Sequence, residues 1–178
     1  MANIQVRDKQ FELFLSEDMI LKEIKRVAED INRDLKDKNP LFICVLNGAF
    51  MFATDLMKCF NFPCEITFIR LKSYQGVKTD GKIKEVHGFV EDIKDRHVVI
   101  IEDIIDTGHT MNFLIQKMNE NTPASLKIAT LLFKPNALQT DIKPDYVALE
   151  IPNDFIVGYG LDYDGHGRNL KNIYKIKD

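Results

Sequence analysis

The 178-residue chain lacks an excess of charge of either sign, a cysteine framework and any long apolar run. Its 24 basic and 27 acidic residues leave a net charge of −3, which argues against nonspecific attachment to nucleic acid or a membrane surface as the main activity. A polyanionic ligand would have to be met by local devices, such as oriented backbone amides or a bound cation. The three cysteines, Cys44, Cys59 and Cys64, form neither a CxxC pair nor a ligand cluster, and their odd number fits packing roles in a reducing compartment. No apolar segment follows a basic start and no run of about 18 apolar residues occurs, so neither secretion nor membrane spanning is expected. The expected location is cytoplasmic. What is present is a 45% hydrophobic content, enough for one domain with a core.

The chain is organised around Val98 to Met111, VVIIEDIIDTGHTM. The apolar run from Val98 to Ile101 is long enough for a buried strand and too short for a helix, and it stops at two carboxylates, Glu102 and Asp103. Ile104 and Ile105 lead into Asp106-Thr107-Gly108-His109-Thr110, a turn of small hydroxyl residues around one glycine, ahead of a helix-competent segment from Met111 to Asn119. Such a turn at a helix start offers free backbone N–H groups and the positive end of the helix dipole, which suits a phosphate. Thr107 and Thr110 can add hydroxyl donors, while Glu102 and Asp103 can accept from sugar hydroxyls or hold a hard cation such as Mg2+. By itself the turn also fits an ordinary capped strand-turn-helix. The two acids just before it favour the ligand-binding reading.

Elsewhere the periodicity predicts alternating strands and helices. Phe11 to Leu15 reads as a short edge strand, and Ser16 with Glu17 and Asp18 starts a helix reaching about Leu35. Ile20, Ile24, Val27, Ala28, Ile31 and Leu35 share one face of that helix, as core packing requires. Leu41 to Leu46 reads as a buried strand that stops at Asn47-Gly48, before a helix from about Ala49 to Phe60. A strand from Cys64 to Leu71 runs into Lys72-Ser73-Tyr74 and a long polar loop, which reads either as a mobile lid or as an exposed hairpin. Leu126 to Phe133 and Tyr146 to Ile151 are further strands, with Pro135 and Pro144 keeping helix out of the connections. This alternation implies an α/β fold: a parallel sheet covered on both faces, with ligands at the carboxyl ends of the strands. Strands near both termini would form a hood over that edge.

Several segments resemble one family. Val98 to Met111 is similar to the signature of type I phosphoribosyltransferases for 5-phosphoribosyl 1-diphosphate (PRPP). The FKP at 133–135, KPDYV at 143–147, FxVGYGLDY at 155–163 and the downstream Arg168 resemble the hypoxanthine-guanine branch, from Leu41 to the end of the chain. The resemblance implies a type I phosphoribosyltransferase fold, with a core over about 17–152 and a hood from about 1–16 and 153–178. It implies that Glu102 and Asp103 hold the ribose hydroxyls and an associated Mg2+, that Asp106 to Thr110 grip the 5′-phosphate, and that Asp106 handles a proton near N7 of the purine. Asn47, Gly48 and Arg168 would meet diphosphate, and Asp162 a second Mg2+. Ile104, Lys134, Phe155, Ile156 and Asp162 would line the purine site, and Ser73 and Tyr74 would tip a closing loop. Asn47 stands where lysine is usual, which shifts any contact there to backbone groups. His109 stands where lysine or arginine is frequent, which reduces charge assistance, and Gly165-His166-Gly167 replaces bulkier residues. Paired subunits are common among such relatives, so a homo-oligomer is expected.

Lys134 adds a chemical argument to its implied placement. An ammonium only donates hydrogen bonds, so it suits the O6 acceptor of a 6-oxopurine and mismatches the exocyclic amine of adenine. The expected activity is Mg2+-dependent transfer of phosphoribosyl from PRPP to N9 of hypoxanthine or guanine, giving IMP or GMP and diphosphate. The alternatives are an enzyme of other base preference, such as xanthine, and a non-catalytic nucleotide-sensing regulator that binds RNA. The acidic balance lends the last no support.

Overall fold

Helical spacing of apolar residues in some segments and unbroken apolar runs in others divide the chain into three helices and ten strands among the described residues. The computed structural model of the chain describes residues 3–73, 83–87 and 91–177, with backbone only at 72–73 and 83–87. In order come β1 (Asn3–Val6), β2 (Lys9–Leu15), α1 (Glu17–Leu35), β3 (Leu41–Leu46), α2 (Phe50–Lys58), β4 (Glu65–Ser73) and β5 (Ile83–His87). They are followed by β6 (His97–Ile105), α3 (His109–Asn119), β7 (Ser125–Phe133), β8 (Tyr146–Glu150), β9 (Ile156–Val157) and β10 (Ile173–Ile176).

The larger sheet has the order β5-β4-β3-β6-β7-β8. All its neighbours pair in parallel except β5, which runs antiparallel to β4. A parallel strand covered on both sides must be apolar on both, and Val98, Val99, Ile100 and Ile101 are each 1% exposed or less. One face packs against α1 and α2, joining Phe42, Cys44, Val99 and Ile101 to Ile20, Ile24, Val27 and Phe52. The other packs against α3, joining Leu41, Ile43, Val98 and Ile100 to Met111 and Leu114. Ser16 caps α1, its Oγ accepting from the Met19 N–H, and the predicted face of that helix is the buried one.

The smaller sheet, β1-β2-β10-β9, is the hood, built from both ends of the chain. Asn172 joins it to the core by accepting the Glu17 N–H at the start of α1, at 2.8 Å.

Several expectations are corrected. The strand at Phe11–Leu15 is interior to the hood sheet, because β1 folds back on one side and β10 arrives on the other. β6 does not stop at Ile101 but continues through both acids, since β7 keeps pairing with it as far as Ile105 opposite Phe133. α3 starts at His109, ahead of Met111, and α2 ends at Lys58, before Phe60. Of the two readings of the stretch after β4, the hairpin agrees with β5, which pairs antiparallel with β4. Pro135 opens a short 3-10 turn, Pro135–Ala137, where its missing N–H has no partner to lose. Among the described residues no helix is long and apolar enough to cross a membrane.

The α1 face supplies a direct test of this packing. Ile24→Ala is expected to lower the unfolding free energy by about 2–5 kcal/mol, because the site is closed on all sides. Lys25→Ala, on the exposed face, should change it by less than about 0.5 kcal/mol, both read from urea denaturation.

Candidate active site

At the carboxyl end of β6, where the chain turns into α3, lies a cleft of about 290 Å3 lined by Glu102, Asp103, Ile104, Ile105, Asp106, Thr107, Gly108, Thr110 and Met111. The sheet places the acids there, because they occupy the last part of a strand whose preceding residues are locked in the core. Glu102 is 8% exposed, and its Oε2 is buried with no hydrogen-bond partner. Burial, then the neighbouring Asp103 carboxylate, push Glu102 well above the usual carboxylate range. Burial also raises Asp103, offset in part by Glu102, by the Ile104 N–H that it accepts at 2.8 Å, and by the positive charge of Arg168. Two oxygen ligands of this hardness, one lacking any donor, suit a hard divalent cation or a sugar hydroxyl.

The turn that follows is shaped by Gly108, whose φ of +84° is open to glycine and strained for other residues. A Cβ there would also lie 2.3 Å from Thr140 Oγ1 and 2.8 Å from Leu138 Cδ1. Gly108 is the N-cap of α3, and no side chain caps that helix among the described residues. Helix geometry leaves the first N–H groups of α3 without partners inside the helix, and these open beside Thr107 and Thr110. The segment after Lys134 braces the turn from behind: the Gln139 N–H donates to the Thr107 carbonyl at 2.9 Å. His109 is exposed, and its Nε2 lies 3.1 Å from Gln139 Oε1, while the cleft wall is formed without it.

Lys134 is buried at 7% exposure, not solvated on the surface as an isolated lysine would be. Its Nζ donates to Asp106 Oδ2 at 3.2 Å, across the mouth between β6 and β7. The Asp106 carboxyl, which lines the cleft, is half exposed, so the pair has one wet and one dry partner. Phe155 is 46% exposed, in contact with Tyr163 edge-on at 5.8 Å and with Phe11 at 6.2 Å, whereas Ile156 is buried in β9. Asp162 pairs with Arg168 and accepts the Gly165 N–H, and Arg168 also donates to the Gly160 carbonyl at 2.7 Å.

Asn47 is exposed and joined to Leu46 by a cis peptide bond. Gly48 is buried against Asp103: a Cβ at Gly48 would fall 1.4 Å from Asp103 Oδ2. The loop after β3 thus rests on the acid pair. Among the described residues no three acidic, histidine or cysteine side chains converge on one point, so Glu102, Asp103 and Asp162 do not form a single ligand set. Of the two residues expected at a lid, Ser73 ends β4 and Tyr74 lies outside the described residues. Met111, which lines the cleft, and the brace at Leu138 to Ile142 are not apparent from sequence patterning. Met111 reads there only as the start of a helix, and the brace carries no motif.

Comparison with known proteins bears on this arrangement as a whole. The phosphoribosyl transferase domain family matches residues 14–164. The hypoxanthine-guanine phosphoribosyltransferase of Streptococcus thermophilus is 40% identical over 167 residues, covering 93% of this chain and 92% of that protein. A crystal structure of the hypoxanthine-guanine phosphoribosyltransferase of Bacillus anthracis superposes with a TM-score of 0.84 at 34% identity, over 94% of this chain and 97% of its own. The Trypanosoma cruzi hypoxanthine phosphoribosyl transferase superposes with a TM-score of 0.87 at 35% identity, over 98% and 95%. With the cleft, the glycine turn and the hood all in place, the chain belongs to the phosphoribosyltransferase family, in the branch of the hypoxanthine-guanine enzymes.

Proposed function

We propose that the protein is a purine salvage enzyme that transfers the phosphoribosyl group of PRPP to N9 of hypoxanthine or guanine, releasing diphosphate. The observation that carries this reading is the meeting, in one cleft, of a buried acid pair with an unsatisfied oxygen and an uncapped helix start. One end accepts hydroxyls and a cation; the other donates to a phosphate. Both ends line the same cleft, so one pentose bearing a phosphate could meet both.

In this reading the turn from Asp106 to Thr110 holds the 5′-phosphate through backbone N–H groups and the Thr107 and Thr110 hydroxyls. Glu102 and Asp103 accept from the ribose hydroxyls. Gly48, with the backbone of Asn47, and Arg168 face the diphosphate. Glu102 and Asp103 at one point and Asp162 at another would hold Mg2+, which offsets charge developing on the leaving diphosphate. Phe155 offers an exposed ring for the base to stack on, and Ile104 and the backbone at Ile156 and Asp162 complete its surroundings.

Reaction breaks the bond from ribose C1 to the diphosphate oxygen, which leaves with the electron pair, and forms the bond from N9 to C1. The purine loses one proton, and in this reading Asp106 accepts it. Lys134 serves both sides of that step. One of its three N–H donors meets Asp106, and the others remain for O6 of the base, so recognition of an oxopurine and placement of the proton acceptor share one cation. Holding both substrates in line supplies much of the rate, and no covalent enzyme intermediate is required. The hood from residues 3–15 and 156–176 covers the base, consistent with a core and a hood acting as one catalytic unit. The same donor chemistry accepts xanthine, which carries an equivalent O6 acceptor.

Incubating the purified protein with PRPP, Mg2+ and each purine separately should yield IMP and GMP and no AMP, identified by mass. Absence of any nucleotide would overturn the assignment. Asp106→Asn keeps shape and removes the proton acceptor, so turnover should fall by about 10²–10⁴ while IMP binding, measured by calorimetry, is largely retained. Lys134→Ala should lower the ratio of kcat/KM for hypoxanthine over adenine by about tenfold to a hundredfold, the weight of a hydrogen bond from a charged donor.

A further inference from the structure

A contact outside the cleft fixes how the hood meets the loop after β3. Tyr159 is 1% exposed, and its hydroxyl donates to Asp55 Oδ2 on α2 at 2.6 Å. Burial, then this bond to the Asp55 carboxylate, push the phenol far above its ordinary value, so it remains a donor. The backbone around it is unusual: Gly158, Tyr159 and Gly160 have φ of 108°, 50° and 99°. A tyrosine in that region is not at ease by local preference, so its side-chain anchor holds the turn.

The turn closes on the site by bare backbone. A Cβ at Gly160 would lie 2.0 Å from the Gly48 carbonyl oxygen, and Gly48 in turn rests on Asp103 Oδ2. The Gly160 N–H donates to the Arg168 carbonyl, and the Gly160 carbonyl accepts from the Arg168 guanidinium, which pairs with Asp162. Asp55 moves with the loop, because α2 grows directly out of it: the Ala49 N–H donates to Val45 and the Ala53 N–H to Ala49. Tyr159 and Asp55 are thus the side-chain bolt of a stack running from Asp103 through Gly48 and Gly160 to Arg168.

We propose that Tyr159 is a positioning residue that locks the hood turn bearing Asp162 and Arg168 onto the Asn47–Gly48 loop, so that the diphosphate end of the pocket is set before substrate arrives. The inference rests on the phosphoribosyl-transfer reading above. It makes the two ends of PRPP unequal. The 5′-phosphate turn is braced by Leu138 to Ile142 and does not depend on this bolt; the diphosphate end does.

The test compares Tyr159→Phe, Asp55→Ala, Asp55→Asn and the double variant Tyr159→Phe/Asp55→Ala in the full chain, with diphosphate and ribose 5-phosphate as separate probes. Tyr159→Phe and Asp55→Ala should each weaken diphosphate inhibition and raise KM for PRPP by about fivefold, the usual weight of one hydrogen bond, with kcat near wild type. Ribose 5-phosphate affinity should stay within about twofold, and the double variant should be no worse than either single one. Asp55→Asn, which keeps an acceptor, should restore most of the diphosphate affinity. Equal weakening of both probes, or a lower melting temperature with both probes unchanged, would overturn the inference and leave Tyr159 a packing residue. A wild-type protein that neither forms nucleotide nor binds diphosphate would overturn the underlying reading and the inference with it. If the wild type does both and Tyr159→Phe matches it, only the inference falls.

Discussion

A carboxylate oxygen held out of water with nothing to donate to it is the constraint on which the site depends. Leaving Glu102 Oε2 unsatisfied costs the free protein about 1–3 kcal/mol, and more while the group is charged. The strand that carries it is anchored by four consecutive core residues paired on both sides, and β7 goes on pairing with it past the acids, so the fold can sustain that cost. An oxygen of this kind fits a ligand that brings the missing partner. A pentose hydroxyl or a hard cation does so, and each then gains more from the contact than it would from a hydrated surface acid.

The remaining parts follow from where that strand ends. Its neighbours β3 and β7 are parallel to it, so the loops after them reach the same rim: Asn47–Gly48 on one side and Lys134 on the other. Glycine at position 48 lets one loop lie flat on Asp103, and Lys134, buried on the other side of β6, turns its ammonium to Asp106. The cation that would select the base and the carboxylate that would take its proton are therefore fixed by the same pair of strands that fixes the acids. Association of the hood through Asn172, Gly160 and Tyr159 closes the third side.

Much of this was legible locally. β3 spans the residues its apolar run predicted, and the buried face of α1 is the one its spacing named, because period and propensity act within a few residues. The glycine turn after β6 and the helix that follows it were legible for the same reason: the residues that shape them are contiguous. What was not legible depends on partners far along the chain. The continuation of β6 through two acids follows from β7 still pairing with it, and the interior place of β2 follows from a strand at the other terminus. Taken alone, a lysine at 134 reads as surface, and only the family resemblance set it in a site; its partner Asp106 lies 28 residues away, and Tyr159 meets Asp55 across 104 residues. The contact of the His109 imidazole with Gln139, 30 residues on, is likewise a partner that no local pattern names.

The acid pair can be examined directly by thermal unfolding of the wild type and Glu102→Gln at neutral pH, each alone and with PRPP and Mg2+. If the buried oxygen is held for a ligand, the variant melts higher than the wild type when alone and gains little from PRPP and Mg2+, while the wild type gains strongly. A variant that melts lower alone and still rises with PRPP and Mg2+ as the wild type does would contradict the account.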